Sequence, residues 1–279
     1  MIDIILDTLL DGVKLLPFLF LTYLAMEALE HKTGDKFKFA VQRSGRFGPI
    51  LGALLGIVPQ CGFSAAASNL YVGRIITLGT LFSVYLSTSD EMLPILISEQ
   101  APISLILKIL ALKVGIGMVV GLLIDVFHKK KILPVSTEIH TLCEKEKCHC
   151  EESLLKSAIK HTLQIFGFIL LISFVLNCVF DLGGEKVLES VLKDTPMLGL
   201  VLSTLVGLIP NCASSVVLTE LFLEDAISFA CLIAGLLVNA GVGLLVLFKL
   251  NKNKKECIGI VLLLFSIGLL SGGVLWILA

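Results

Sequence analysis

Two short polar stretches repeat one pattern of a proline, an amide side chain and a cysteine. The first is "GIVPQCGFSAA" at residues 56–66, and the second is "GLIPNCASSVV" at residues 207–217. Amides offer hydrogen-bond donors and acceptors, and cysteine sulfurs bind soft metal ions. The alternative is that the two cysteines are small buried hydrophobic residues, as most free cysteines are. The predicted binding residues, with both sulfurs as metal ligands, are Gln60, Cys61, Asn211 and Cys212.

The resemblance between these stretches extends to a longer internal repeat. A shift of 151 positions aligns residues 52–98 with 203–249 without gaps, and it matches Ser64 with Ser215 three residues after each cysteine. Both serines are added to the predicted substrate-binding residues. Interrupted helices at matching positions of two repeats indicate a transporter's binding site.

A second polar cluster lies in "LSTSDEMLP", inside a stretch that is otherwise apolar. Ionisable residues within a span are costly and are candidates for function. We therefore predict that Asp90 or Glu91 couples transport to protons, and that Thr88 and its counterpart Asn239 contact substrate. The alternative is that Glu91 only reaches the outer interface or forms a structural pair.

The hydrophilic segment 128–153 contains cysteine and histidine residues at high density. These side chains suit zinc, copper(I) or a trivalent arsenical, and reduced thiols are expected in the cytosol. Their spacing is not that of a zinc finger, so a solvated linker with incidental thiols is an equal alternative. The candidate metal ligands in this loop are Cys143, Cys148, His149 and Cys150.

The composition indicates that the candidate site residues are carried by transmembrane helices. Hydrophobic residues make up 56% of the 279 residues, charged residues only 16%, and the mean hydropathy is +0.96. A water-soluble domain of this size does not show that balance. Since about 20 apolar residues cross a bilayer as a helix, we predict full crossings at 9–29, 75–97, 104–127, 161–180, 226–248 and 257–278.

Two further segments, 47–72 and 197–223, are too long for one helix and contain the repeated tripeptides. Short cytoplasmic loops carry an excess of Lys and Arg. Basic residues follow both the first crossing and the 104–127 crossing, so both loops should be cytoplasmic. Both loops can be cytoplasmic only if residues 47–72 form a hairpin that enters the membrane and returns to the same side.

The predicted fold is therefore all-α, with two repeats inverted about the membrane plane. Each repeat has three full crossings and one re-entrant hairpin, or five segments per half. The first repeat covers residues 1–127 and the second covers 154–279, joined by the cytoplasmic loop 128–153. The protein should lie in the cell membrane as a multi-pass protein with both termini outside.

These motifs resemble those of bacterial and archaeal membrane proteins called manganese transporters or ten-segment heavy-metal exporters, which are related to arsenical permeases. The resemblance is carried by "GIVPQCGFSAAASNLY", "LSTSDEMLP", the Cys/His loop and "GLIPNCASSV" with "GLLVNAGVG". It implies a transporter of metal or metalloid ions. Paired sulfurs favour a soft substrate, whereas carboxylates and amides would favour manganese.

We therefore predict a secondary transporter, an efflux permease, rather than an enzyme. The sequence contains no phosphate-binding loop of the form G-x-x-x-x-G-K-[ST], so we expect no ATP use. Rival hypotheses are an intramembrane thiol redox enzyme using Cys61 and Cys212, a passive channel, and a transporter of a small organic solute. We expect membrane lipid around the chain, no cofactor and no nucleic-acid partner, and a homodimer is left open.

Overall fold

In a computed structural model, the regular secondary structure of the described residues is entirely helical. The structure describes residues 47–58, 62–89, 92–127, 196–211 and 213–278, with isolated helical positions between 13 and 20 and between 159 and 174. These ranges contain no β-strand. The all-α prediction is therefore confirmed for this part of the chain.

The helices of the described ranges form two sets of five. The first set is α1 (Gly48–Leu55), α2 (Gly62–Val72), α3 (Leu78–Ser87), α4 (Met92–Ser98) and α5 (Ile103–Phe127). The second set is α6 (Pro196–Gly207), α7 (Ala213–Leu223), α8 (Phe229–Val238), α9 (Gly243–Leu250) and α10 (Lys254–Leu278). Helices α2, α3 and α5 start and end 151 residues before α7, α8 and α10.

The two sets have similar internal packing, and helices of one set also pack against helices of the other. Helix α3 lies between α1 and α5, and α8 lies between α6 and α10 in the same manner. Helix α2 packs against α9 of the other set, and α7 packs against α4. Each set therefore supplies a helix that completes the other, and α3 and α8 contact each other at the centre.

Helix lengths and exposure fit a membrane protein with α8 at its core. Within the described ranges, three helical segments are long and apolar enough to cross a membrane, namely α5, residues 229–250 and α10. About nine-tenths of the apolar window in 229–250 is buried inside the protein (89%), against 22% for α5 and 28% for α10. The outer two helices thus present apolar side chains outward, as lipid contact requires.

Two of the predicted crossings are interrupted in the structure. We expected one continuous helix over 75–97, but α3 ends at Ser87 and α4 begins at Met92. Pro94 explains the break, because proline has no N–H to donate and its ring clashes with the carbonyl four residues earlier. The proline is tolerated in the first turn of α4.

The predicted crossing over 226–248 is interrupted at the corresponding place. Helix α8 ends at Val238 and α9 begins at Gly243. Between them, Gly241 has a φ of 50°, a left-handed conformation that glycine adopts without steric cost. The Oδ1 of Asn239 accepts a hydrogen bond from the Gly241 N–H at 3.0 Å. We call residues 88–91 the first helix break and residues 239–242 the second helix break.

Candidate functional site

The first helix break lies against the end of α1. The hydroxyl of Ser89 donates a hydrogen bond to the carbonyl of Ile57 at 2.7 Å. The chain also comes close at Gly56, where an added Cβ would lie 1.9 Å from the Ser87 Oγ. The turn that follows α1 and residues 87–89 at the end of α3 are thus brought together, although 32 residues separate Ser89 from Ile57.

Thr88 belongs to the end of α3 rather than to the interior of a longer helix. Its backbone N–H and its Oγ1 both donate to the carbonyl of Val84, at 3.0 Å and 2.6 Å. Its ψ of 126° takes the chain out of the helix. Thr88 is buried, and its counterpart Asn239 is buried at the end of α8. The two residues therefore occupy the same position in the two breaks.

The first residue of α9, which directly follows the second helix break, lies against α2. Ser64 is fully buried, and a Cβ added to Gly243 would lie 2.8 Å from both the Ser64 Cβ and its carbonyl oxygen. One turn later, the Oγ of Ser68 lies 2.7 Å from the Gly243 carbonyl and 2.6 Å from the Tyr85 hydroxyl. Since the first turn of α2 follows the first tripeptide, this places the first turn next to the second break.

The first two residues of the second tripeptide, Pro210 and Asn211, lie in a tight turn that follows α6. The N–H of Asn211 donates to the Ile209 carbonyl at 2.8 Å, and the Ser214 hydroxyl donates to the Asn211 carbonyl at 2.8 Å. Asn211 is 3% exposed and Ser215 is 1% exposed. The Thr219 hydroxyl donates to the Ser215 carbonyl, as the Ser68 hydroxyl does to the Ser64 carbonyl.

Sequence analysis missed Lys113, the one buried lysine among the described residues. It lies near the middle of α5, is 1% exposed, and its Nζ donates to the Leu236 carbonyl at 2.6 Å. The signal was available, because an ionisable side chain inside a span marks a functional candidate. By that criterion Lys113 is a candidate alongside Asp90 and Glu91.

Several predicted site residues lie outside the described residues. Within the described ranges, no group of three or more His, Cys, Asp or Glu side chains could hold a metal ion. The free cysteines there, Cys231 and Cys257, are buried. The predicted residues outside the described ranges are Gln60, Cys61, Asp90, Glu91, Cys143, Cys148, His149, Cys150 and Cys212.

Apolar outer helices around buried hydroxyl and amide groups at interrupted helix ends define a helical membrane protein. Residues 1–185 match the family described as "Putative, 10TM heavy-metal exporter". Because this match covers more than half of the chain, the protein belongs to that family. Neither a curated protein sequence nor a solved structure matches the chain.

Proposed function

We propose that the protein is a secondary transporter that exports a metal or metalloid ion through the place where the two helix breaks meet the first tripeptide turn. The observation that carries this proposal is a pair of contacts on either side of that turn. Ser89 bonds to Ile57 just before it, and Ser64 packs on Gly243 just after it. The residues that flank the first tripeptide in sequence therefore lie beside Ser89 of the first helix break and beside Gly243, which directly follows the second.

The architecture that supports this mechanism is a pair of inverted halves, residues 1–127 and 154–279, joined by the loop 128–153. The equal spacing of the helix ends supports a duplicated unit. The packing of α2 on α9 and of α7 on α4 supports a site shared between the halves. In such transporters, alternating access arises from rocking of the repeats around a fixed site at the midplane.

The two helix pairs α1–α2 and α6–α7 serve as re-entrant hairpins in this proposal. Their helices have 8, 11, 12 and 11 residues, and each is shorter than the roughly 20 residues of a full crossing. Irregular backbone at membrane depth is tolerated only where protein or a water-filled cavity surrounds it. The burial of Asn211 in the second turn meets that condition.

Substrate ligands come from both turns and both breaks. Gln60, Cys61, Asn211 and Cys212 are the proposed ligands of the turns, and sulfur ligands select thiophilic ions such as zinc or an arsenical. In addition, Ser64, Ser215, Thr88 and Asn239 supply hydroxyl and amide groups.

Proton coupling is assigned to the first helix break. Asp90 and Glu91 fall between the end of α3 and the start of α4 in sequence, directly after Ser89. A carboxylate in such a break exchanges a proton when a cation's charge must be balanced. The second break carries Gly241 and Val242 at the matching positions, so this proposal gives one titratable site per chain.

Transport in proteoliposomes tests the proposal directly. Purified protein is reconstituted, and uptake of Zn²⁺, Mn²⁺ and arsenite is measured under a proton gradient. We expect Cys61→Ser and Cys212→Ser to lower transport of the thiophilic species by at least about tenfold, the effect of about 1.4 kcal/mol. Cys231→Ser is the matched control, because Cys231 is buried at the start of α8, away from both breaks.

Each outcome of that assay bears on a different part of the proposal. Normal transport by both turn variants would remove the sulfur ligands, and normal proton dependence in Glu91→Gln would leave Asp90 as the coupling residue. No transport of any of the three species by wild-type protein would contradict the proposed function.

A further inference from the structure

The buried lysine of α5 lies level with the first helix break. Helices α3 and α5 run antiparallel, because an added Cβ at Gly121 would lie 2.6 Å from the Gly79 carbonyl, while one at Gly117 would lie 3.6 Å from the Ser87 Cβ. Lys113 comes one turn, about 5.4 Å, beyond Gly117 in that direction. It is therefore placed beyond the end of α3, where residues 88–91 begin.

The same side chain reaches the end of α8, which leads into the second helix break. Within an unbroken helix, the Leu236 carbonyl would accept the N–H of Ala240. Here the Ala240 N–H donates to the Val238 carbonyl instead, at 2.9 Å. Leu236 thus carries one of the carbonyls that a helix end leaves without an intrahelical partner. The Lys113 ammonium donates to this carbonyl at 2.6 Å.

A helix end of this kind attracts cations. The partial negative charge at a helix C-terminus stabilises nearby positive groups, and in transporters the C-terminal ends of interrupted helices help to coordinate the coupling ion. Carbonyl oxygens are also ligands for divalent cations. The corresponding position on α10 is Leu264, which is fully buried. The first set of helices therefore has an ammonium group, that of Lys113, at this position, whereas the second set has the apolar side chain of Leu264.

We infer that the Leu236 carbonyl is part of the cation site of the transport cycle, and that the Lys113 ammonium occupies it as a built-in cation when no metal ion is bound. This inference rests on the proposed function and adds a ligand and a competitor to that site. Two positive groups cannot share one carbonyl in a low-dielectric interior without strong repulsion. Metal binding therefore requires Lys113 to leave the end of α8, and metal release allows it to return.

Removing the lysine charge should then strengthen metal binding. Isothermal titration calorimetry of detergent-purified protein with Zn²⁺ and with Mn²⁺ measures this directly. We expect Lys113→Met to lower the Kd for at least one of the two ions by about tenfold or more, and to slow transport because the ion is released poorly.

The matched control is Lys108→Met, which removes a positive charge from the same helix. Lys108 is exposed, and its Nζ lies 4.6 Å from the centre of the Phe229 ring at the opposite end of α8. Its Kd should stay at the wild-type value. Lys113→Arg keeps the charge and should also bind as the wild type does.

A second neutral variant is needed in case Lys113→Met does not fold. Lys113→Gln retains an N–H donor for the Leu236 carbonyl, so it decides the question if Lys113→Met fails to elute as a single species in size-exclusion chromatography. An unchanged or higher Kd in a folded neutral variant overturns the inference. If the wild type still transports a metal ion in that case, the proposed function stands and only the role of Lys113 fails.

Discussion

Buried hydroxyl groups around the candidate site are engaged with backbone carbonyls. Thr88, Ser68 and Thr219 each donate to the carbonyl one turn earlier in their own helix. Ser68 also contacts the Gly243 carbonyl and the Tyr85 hydroxyl. Because a serine hydroxyl has one proton and both carbonyls only accept, Tyr85 must donate to Ser68. This side chain therefore joins α2, α3 and α9.

A double-mutant cycle on this contact gives a residue-scale prediction. Ser68→Ala leaves the buried Tyr85 hydroxyl without that partner, so it should cost about 1–3 kcal/mol of stability. Adding Tyr85→Phe to the Ser68→Ala chain should recover part of the loss, because no buried hydroxyl is then left unbonded. Thermal unfolding in detergent measures all four chains. Strictly additive effects of the two substitutions would contradict the hydrogen bond.

The sequence identified which positions of the two repeats are equivalent, but it did not predict the contacts that these positions make. The 151-residue shift paired Thr88 with Asn239, and the structure puts both at the ends of equivalent helices. The shift could not show that Ser89 bonds to Ile57, because this contact depends on how α1 packs against α3. Lys113 was missed because an apolar average over a span hides a single charged residue.

Glycine residues allow neighbouring helices to pack closely, as at the contact between α6 and α8. An added Cβ at Gly207 would lie 2.0 Å from the Gly235 carbonyl oxygen, so α6 and α8 touch backbone to backbone there. Small residues at helix interfaces allow such contact in membrane proteins. A larger residue at Gly207 must push the two helices apart.

Alanine substitutions at two glycines distinguish the effect of helix packing on stability from the effect of helix propensity. Gly207→Ala should lower the stability of the fold by about 1–3 kcal/mol, the usual cost of overpacking. Gly273→Ala in α10 is the control, because an added Cβ there meets nothing within 4 Å. It should be neutral or slightly stabilising, since alanine favours a helix more than glycine does. Equal thermal midpoints for the two variants would contradict the close contact.

Helix ends were predictable only where no break intervened. We expected crossings at 104–127 and 257–278, and α5 and α10 cover 103–127 and 254–278. The crossings at 75–97 and 226–248 were predicted from the length of the largely apolar stretch that each contains. Hydropathy measures transfer to lipid and carries no information on backbone geometry. The signals of the two breaks were Pro94 and Gly241.

The whole molecule is held together by contacts between its halves. Helix α2 needs α9, and α7 needs α4, to cover their buried faces. The Tyr71 hydroxyl at the end of α2 donates to the Glu256 carboxylate at the start of α10 at 2.5 Å, and Arg74 lies 3.6 Å from the same carboxylate. Rocking of one half against the other would therefore have to alter this polar contact as well as the apolar ones.

Inversion of the two halves is the central claim of this account, and the side of the membrane on which matching loops lie tests it. Gln100, between α4 and α5, and Lys252, between α9 and α10, are both exposed and hold nearly equivalent places in the two sets. Each is replaced by cysteine in a chain whose 8 native cysteines are removed, and intact cells are treated with a membrane-impermeant maleimide.

We predict that Gln100→Cys is labelled in intact cells and that Lys252→Cys is labelled only after lysis. The basic residues around Lys252 predict that its loop is cytoplasmic, and inverted halves would put the matching loop outside. Labelling of both positions from the same side would contradict the inverted arrangement and the shared site that depends on it.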